Sequence, residues 1–513
     1  MVAESNPASQ SITQRVLDLV ERVGNKVPHP VLIFLILIAI VLVVAHVLYL
    51  AGVSVSYQVI NPETHELETA TTAARTLLSA SGVRDMYTGL VPNLMGFSAI
   101  GLLVVAMVGV GVAEEAGLIN TLIRTLVAVS PGWALTYILA LVGILSSIAA
   151  DAGYVVLIPL AGAAYLSLGR HPLAGIALGF AAVAGAFNVN MLIKPLDAVL
   201  TEITNDAIHM VDPTRSIDLT AGLWFSIASV PFLTVVIALI TDRLISPRLG
   251  KYEGAAAEES EGASLGAKEW RGLRYAALGL LGVLVVFGLL SLPEGAPLRN
   301  PETGALIGNS PFMNGLIVPI MFVFLVSGAA YGWGAGTIKS SADVIGAMTK
   351  AVSGLGGTIL LFLVISQFIA YFNYSNIPTI MAVEMADTLT RASIGPIWLL
   401  LGFIVVVTAL NLVFTPAIAK WAIFAPVFVP LLVTLGVDPA AVLSAYRVGD
   451  SPTNSITPLN AYFALVVGFA QRYDKNAGIG TIVALLLPYA IGMSVLWTAL
   501  FAAWYLLGLP WGF

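Results

Sequence analysis

The run Tyr446-Arg-Val-Gly-Asp-Ser-Pro-Thr-Asn-Ser-Ile-Thr-Pro458 sets a guanidinium, a carboxylate, an amide and two prolines inside apolar sequence. Arg447 and Asp450 are three residues apart and Asp450 and Asn454 four apart. A helix that holds to Asp450 places the first pair on one face. Pro452 and Pro458 carry no backbone donor, so they leave carbonyls open. Open carbonyls, the Asp450 carboxylate and the Asn454 amide oxygen make a hard-oxygen cage suited to Na+. Asn411, a buried amide without a local partner, would complete it. Arg447 offers a planar fork matched to a carboxylate. The plainer reading is that Arg447 and Asp450 neutralise each other.

Two more polar groups stand out. Lys420-Trp421 interrupts the apolar stretch 397–435. Trp421 either stacks on an aromatic ligand or belongs to an interfacial belt. Earlier in the chain, Asn188-Val-Asn190 is followed by Lys194-Pro195 and Asp197. With Asp151, Asn188 and Asn190 suggest a second, amide-based cation site. Asp197 reads equally as a substrate or proton residue and as the end of a span. Glu114 and Glu115 read as boundary residues.

These groups matter because their surroundings are so apolar. Of 513 residues, 58% are hydrophobic and 10% charged, and the mean hydropathy is +0.93. Soluble proteins carry about 25% charged residues, so most of this surface must face lipid. That excludes a soluble enzyme, a nucleic-acid binder and a disordered scaffold. The net charge of -6 comes with no basic stripe. No cysteine is present, which excludes disulfides and thiolate chemistry. Five scattered histidines show no zinc spacing. In a membrane span a charge is costly and marks function by default.

The elements that must position these groups are helices of about 20 apolar residues. Spans are expected near 31–52, 95–115, 172–195, 220–240, 273–291, 314–333, 354–372, 440–470 and 481–509. Residues 133–168 and 397–435 are each interrupted, at Asp151-Ala-Gly153 and around Thr415-Pro416 and Lys420-Trp421. Arg243, Arg248, Lys251, Lys268, Arg271 and Arg274 place the 241–274 loop in the cytoplasm. The long 53–94 loop and the 292–313 loop then face away. These assignments agree only if 133–168 and 397–435 each enter and return as re-entrant hairpins from opposite sides. The expected fold is therefore an all-α polytopic membrane protein with about nine transmembrane helices and two hairpins. The expected domains are a cytoplasmic N-terminal segment (1–30, with a short interfacial helix or a frayed tail), a first half (31–240), a cytoplasmic linker (241–272) and a second half (273–513).

The halves share anchors. Pro159…Leu168-Gly-Arg-His-Pro172…Lys194-Pro-Leu-Asp-Ala198 parallels Pro426…Leu435-Gly-Val-Asp-Pro439…Thr457-Pro-Leu-Asn-Ala461. With hairpins of opposite entry, the repeat is inverted. Inverted repeats with broken helices are a signature of secondary transporters with a site near mid-membrane.

The Lys420-Trp421 pair, the 446–458 run and Asn-Pro-Glu-Thr at 61–64 resemble the p-aminobenzoyl-glutamate transporter (AbgT) family, within the ion-transporter superfamily, over essentially the whole chain. The resemblance implies nine transmembrane helices, two re-entrant hairpins and a homodimer in the bacterial inner membrane. It implies uptake of p-aminobenzoyl-glutamate, or export of sulfonamide drugs and hence antibiotic resistance. It implies Na+ at Asn411, Asp450 and Asn454, and transport roles for Asp197, Trp421, Arg447, Pro439 and Pro458. Na+ or H+ would be the coupling ion, with no cofactor and no nucleic-acid partner. A dicarboxylate or citrate symporter of the same superfold is the alternative. An intramembrane enzyme is a distant one, because the sequence holds no Gly-x-Gly-Asp and no His-Glu-x-x-His.

Overall fold

The computed structural model describes residues 28–60, 67–128, 130–132, 134–148, 153–252, 266–307, 310–381, 383–384 and 395–513. The expected N-terminal interfacial helix, Asp151, the 61–64 motif and residues 253–265 of the linker lie outside the described residues.

The first membrane helix, α1 (Pro30–Leu50), starts with Pro at its first turn and His29 as its cap. Its exposed face is Leu, Ile and Val, as lipid demands. The 53–94 segment is not an open loop. It forms an antiparallel pair, β1 (Ser54–Ile60) and β2 (Leu67–Ala73), in register Ser54↔Ala73 to Ile60↔Leu67. It then forms α2 (Ala80–Gly96), capped by Ser79. The Thr- and Val-rich alternation at 54–73 and the Ser79 cap were visible local signals, outweighed by the lack of long apolar runs. After a break at Phe97–Ser98, α3 (Ala99–Glu115) follows. A short helix, α4 (Leu118–Ala128), leads to the first hairpin.

Each half then repeats one pattern. The first hairpin has arms α5 (Leu135–Leu145) and α6 (Ile158–Ser167), the latter entered through a π-turn at Gly153–Leu157. A helix broken in two follows, α7 (Pro172–Gly185) and α8 (Pro195–Ile208), and then α9 (Leu223–Ile240). After α10 (Ala267–Ser291), α11 (Ile317–Ala335), α12 (Ser341–Ser353) and α13 (Gly356–Tyr374), the pattern returns. The second hairpin has arms α14 (Pro396–Asn411) and α15 (Ala417–Thr434). Its broken helix is α16 (Pro439–Asp450) and α17 (Phe463–Gln471), and α18 (Ile479–Leu506) closes the set.

The repeat is exact in backbone chemistry at its middle anchor. Gly169 and Gly436 both have positive φ, 67° and 80°. Each ends a hairpin arm with the same pair of backbone bonds: Gly169 N–H to Leu166 O and Arg170 N–H to Tyr165 O, then Gly436 N–H to Val433 O and Val437 N–H to Leu432 O. This is the glycine helix stop with its reciprocal carbonyl capping. A capping side chain and a helix-starting proline follow in both copies, His171-Pro172 and Asp438-Pro439.

Among the described residues, eight helical runs are long and apolar enough to cross a membrane. One of them, α15, is a hairpin arm. The two broken helices, too short in their pieces, bring the crossings to nine. The broken helix α7–α8, then α9, α10, α11 and α13, lie between the hairpins. That odd number makes the second hairpin enter from the side opposite to the first, so the repeat is inverted.

Two expected boundaries are corrected. The span read as 172–195 stops at Gly185 and resumes at Pro195, because α8 is amphipathic and its polar residues hid it from an apolar count. Lys420-Trp421 is not a break. The tip of the second hairpin is 412–416, and Pro416 caps a helix that already contains both residues.

Candidate functional site

The two broken helices meet break to break. The backbone N–H of Asn188 donates to Ser451 Oγ at 3.2 Å, and its side-chain amide donates to Asp450 Oδ2. Thr457 Oγ1 donates to Leu412 O at 2.9 Å, which ties the second break to its hairpin tip. Where a helix stops inside a protein, its free N–H and C=O groups need partners. Here side chains of both halves supply them.

Asp450 ends α16 and is wholly buried. It does not pair with Arg447. Its Oδ1 accepts from the Lys420 ammonium, in a buried ion pair. It also accepts from Tyr446 O–H at 3.2 Å. Arg447 turns to the other half, donating from Nη1 to Asp197 Oδ1 at 2.8 Å. Three positions separate Arg447 from Asp450 on a single turn, yet each finds a better partner across the fold, so simple mutual neutralisation does not occur. Asp197 also caps α8: its Oδ2 accepts the Lys194 N–H at 2.9 Å, just before Pro195.

The expected trio of Asn411, Asp450 and Asn454 comes together. Asn411 Nδ2 donates to Asn454 Oδ1 at 3.0 Å, to Thr453 Oγ1 at 2.9 Å and to Asp450 O. Asn411 Oδ1 accepts from Lys420 Nζ. The three side-chain oxygens assigned to Na+ thus all face N–H donors. In this arrangement the trio does not fit a sodium ion, since an ammonium stands where the ion would.

In the first half, Asn190 Nδ2 donates to Leu145 O at 3.0 Å and Ser147 Oγ at 3.1 Å. The Lys194 ammonium donates to Phe187 O, a carbonyl opened by the break, and lies over the Phe187 ring at 5.1 Å. Asn188 and Asn190 are therefore both at the break, but they do not converge on one point. Asn188 Oδ1 and Arg447 Nε are buried with no partner among the described residues, which costs stability unless a ligand or water meets them.

Trp421 is fully buried. Its indole N–H donates to Leu200 O at 3.1 Å and Thr204 Oγ1 at 3.0 Å, both on α8. Its ring lies against Tyr446 at 4.6 Å. It joins the hairpin to the opposite broken helix and presents no face to a ligand, which corrects its reading as a stacking platform. Pro439 begins α16, and Pro458 follows Thr457 in the break. Glu115 is an exposed boundary residue, paired with Lys350 of α12 at 2.6 Å.

Beside the crossing lies a cavity of about 240 Å³. The hairpin tip Thr415-Pro416-Ala417 forms one side, with Asn454, Asn460, Phe187, Tyr154 and Tyr462 around it. Tyr154 and Tyr462 are stacked at 4.1 Å. Sequence reading missed Tyr154, Tyr462 and Asn460, which carry no charge and look like ordinary span residues. It also gave no role to Lys420 and Lys194, although a lysine in an apolar run was the available signal.

Among the described residues, nine crossings, two opposed hairpins and two helices broken at one polar crossing define a membrane transporter of the inverted-repeat kind. The sequence model of the AbgT transporter family matches residues 15–513, and the chain belongs to that family. It is 32% identical over 508 residues, 99% of this chain and 98% of the other, to the p-aminobenzoyl-glutamate transport protein of Escherichia coli (strain K12). The crystal structure of the Alcanivorax borkumensis YdaH transporter is similar at 41% identity and a TM-score of 0.87, covering 94% of this chain and 100% of that one. Neisseria gonorrhoeae MtrF, described with a class of antimetabolite efflux pumps, is similar at 34% identity and a TM-score of 0.90, covering 96% and 97%. The protein is thus a multi-pass transporter of the bacterial inner membrane and not an enzyme.

Proposed function

We propose that this transporter carries aromatic glutamate conjugates of the p-aminobenzoyl-glutamate class by ion-coupled alternating access. The observation that carries the substrate reading is the cavity at the second hairpin tip. Its Tyr154, Phe187 and Tyr462 rings suit a benzoyl group, and Asn454, Asn460 and Thr415 suit amide and carboxylate oxygens. Binding sites combine an apolar lining with a few polar groups in this way. The name of the Escherichia coli relative supports the same class.

Arg447 is the residue matched to a substrate carboxylate. Its fork is held by Asp197, so a carboxylate arriving at the crossing competes with Asp197 and loosens the tie between the halves. That exchange links loading to movement of one hairpin-bearing bundle against the rest. Trp421, Pro439 and Pro458 serve this movement by setting how the broken helices start and join. A cation gradient, of Na+ or H+, drives the cycle, and Asp450, held by Lys420, is the charge that such a cycle must keep paired. A homodimer with a cytoplasmic N-terminus completes the proposal.

Sulfonamide export is a second reading. It is favoured by the likeness to MtrF, described with a class of antimetabolite efflux pumps, and by a cavity whose rings suit any aromatic amine. A dicarboxylate substrate would leave those rings unused. The test is competition: p-aminobenzoyl-glutamate should displace a bound sulfonamide, and succinate should not. Equal displacement by succinate would favour the dicarboxylate carrier.

A further inference from the structure

We propose that Lys420 and Lys194 are resident cations of the two helix breaks, occupying with their ammonium groups the positions where an inorganic ion would otherwise sit. This rests on the transporter reading only for the nature of the anion that the crossing awaits.

Lys420 is completely buried, and its ammonium donates to Asn411 Oδ1 and Asp450 Oδ1. These are the oxygens that would have to turn to a sodium ion. The third, Asn454 Oδ1, already accepts from Asn411. A sodium ion on the same oxygens would lie in contact with a like charge in a site screened from water, where repulsion is strongest. Tyr446, which shares Asp450 with Lys420, donates its O–H also to Ala417 O, across the start of α15.

The first break shows the same device from a different place. Lys194 is 2% exposed and points its ammonium at the opened Phe187 carbonyl, with Ser147 Oγ 3.5 Å away. In the repeat, Lys194 stands where the second half has Thr457, before the proline. Lys420 comes instead from a hairpin arm. The two lysines are not copies of one another, yet each satisfies the oxygens of its own break.

The charge balance points the same way. The buried charged residues among those described are Lys194, Lys420 and Arg447 against Asp197 and Asp450. That leaves one net positive charge at the crossing. With no substrate bound, a sodium ion would raise it further, whereas an arriving anion lowers it. The site is therefore set to receive an anion without an inorganic partner at Asp450.

Thermal unfolding of the full-length protein in detergent, in sodium chloride against equal choline chloride, tests this without any substrate. Failure of p-aminobenzoyl-glutamate transport would overturn the function proposed above but leave this readout intact. The wild type should unfold at the same temperature in both salts. Lys420→Ala, which vacates the cage, should gain a sodium-specific stabilisation on the order of a few degrees, as ligand linkage requires. Lys420→Met, one atom shorter and uncharged, keeps an apolar methyl beside the cage and should lose stability with a smaller gain than Lys420→Ala. A sodium-specific shift in the wild type that disappears in Asp450→Asn would overturn the proposal. So would a folded Lys420→Ala indifferent to sodium. If Lys420→Ala does not fold, the wild-type comparison decides alone.

Discussion

At the scale of single residues, the polar crossing works by pairing across the fold rather than along the chain. Arg447 with Asp197 and Lys420 with Asp450 are both buried ion pairs. Removing one member of such a pair strands a charge and costs roughly 3–5 kcal/mol. Arg447→Ala and Asp197→Ala should each lower the thermal unfolding temperature strongly. The double variant should cost clearly less than the two together, because it strands nothing; strictly additive losses in thermal melts would refute the pairing. Asp450→Asn should abolish transport and also destabilise, since it leaves Lys420 without its counter-charge. A variant as stable as wild type would show that Lys420 and Asp450 do not depend on each other. Much of this was legible in sequence: a charge inside apolar sequence is costly anywhere, so Arg447, Asp450, Asn411 and Asn454 stood out. Their partners were not legible, because spacing speaks only for neighbours on one helix, and both ion pairs join separate elements.

At the scale of elements, the broken helices are held at set distances from their hairpins. Gly449 sits where a Cβ would come within 2.8 Å of Ile404 O and Val407 on α14. Backbone atoms there have no side chain to swing aside, and crowding a packed interface costs about 1–3 kcal/mol. Gly449→Ala should therefore push α14 from α16, lowering both thermal stability and transport. Gly468→Ala on α17 meets nothing within 4 Å and should leave both near wild type. Equal behaviour of the two variants in melts and flux would contradict the packing described. The repeat was readable from Leu-Gly-x-x-Pro, since a glycine stop followed by a helix-starting proline makes that turn in both copies. The piece α8 was not readable as helix by apolar count. Its cue was the cap, Lys194-Pro195 followed by Asp197, which announces a helix start whatever the polarity that follows.

At the scale of the whole molecule, two inverted copies cross at their breaks, and the second hairpin packs on the first half's α8. The crossing therefore cannot loosen in one half alone. Nine crossings and their opposed hairpins followed from apolar length and positive charge together, because both are set by the bilayer. The ring-lined cavity did not, since it is assembled from Tyr154, Phe187 and Tyr462, three residues distant in sequence. Uptake of labelled p-aminobenzoyl-glutamate into proteoliposomes, under imposed Na+ or H+ gradients, is the most direct measurement of what that assembly does. The expected result is saturable, gradient-driven flux that is lost in Arg447→Ala and unaffected by excess succinate. Absence of flux under either gradient, or flux that Arg447→Ala leaves intact and succinate suppresses, would contradict the account.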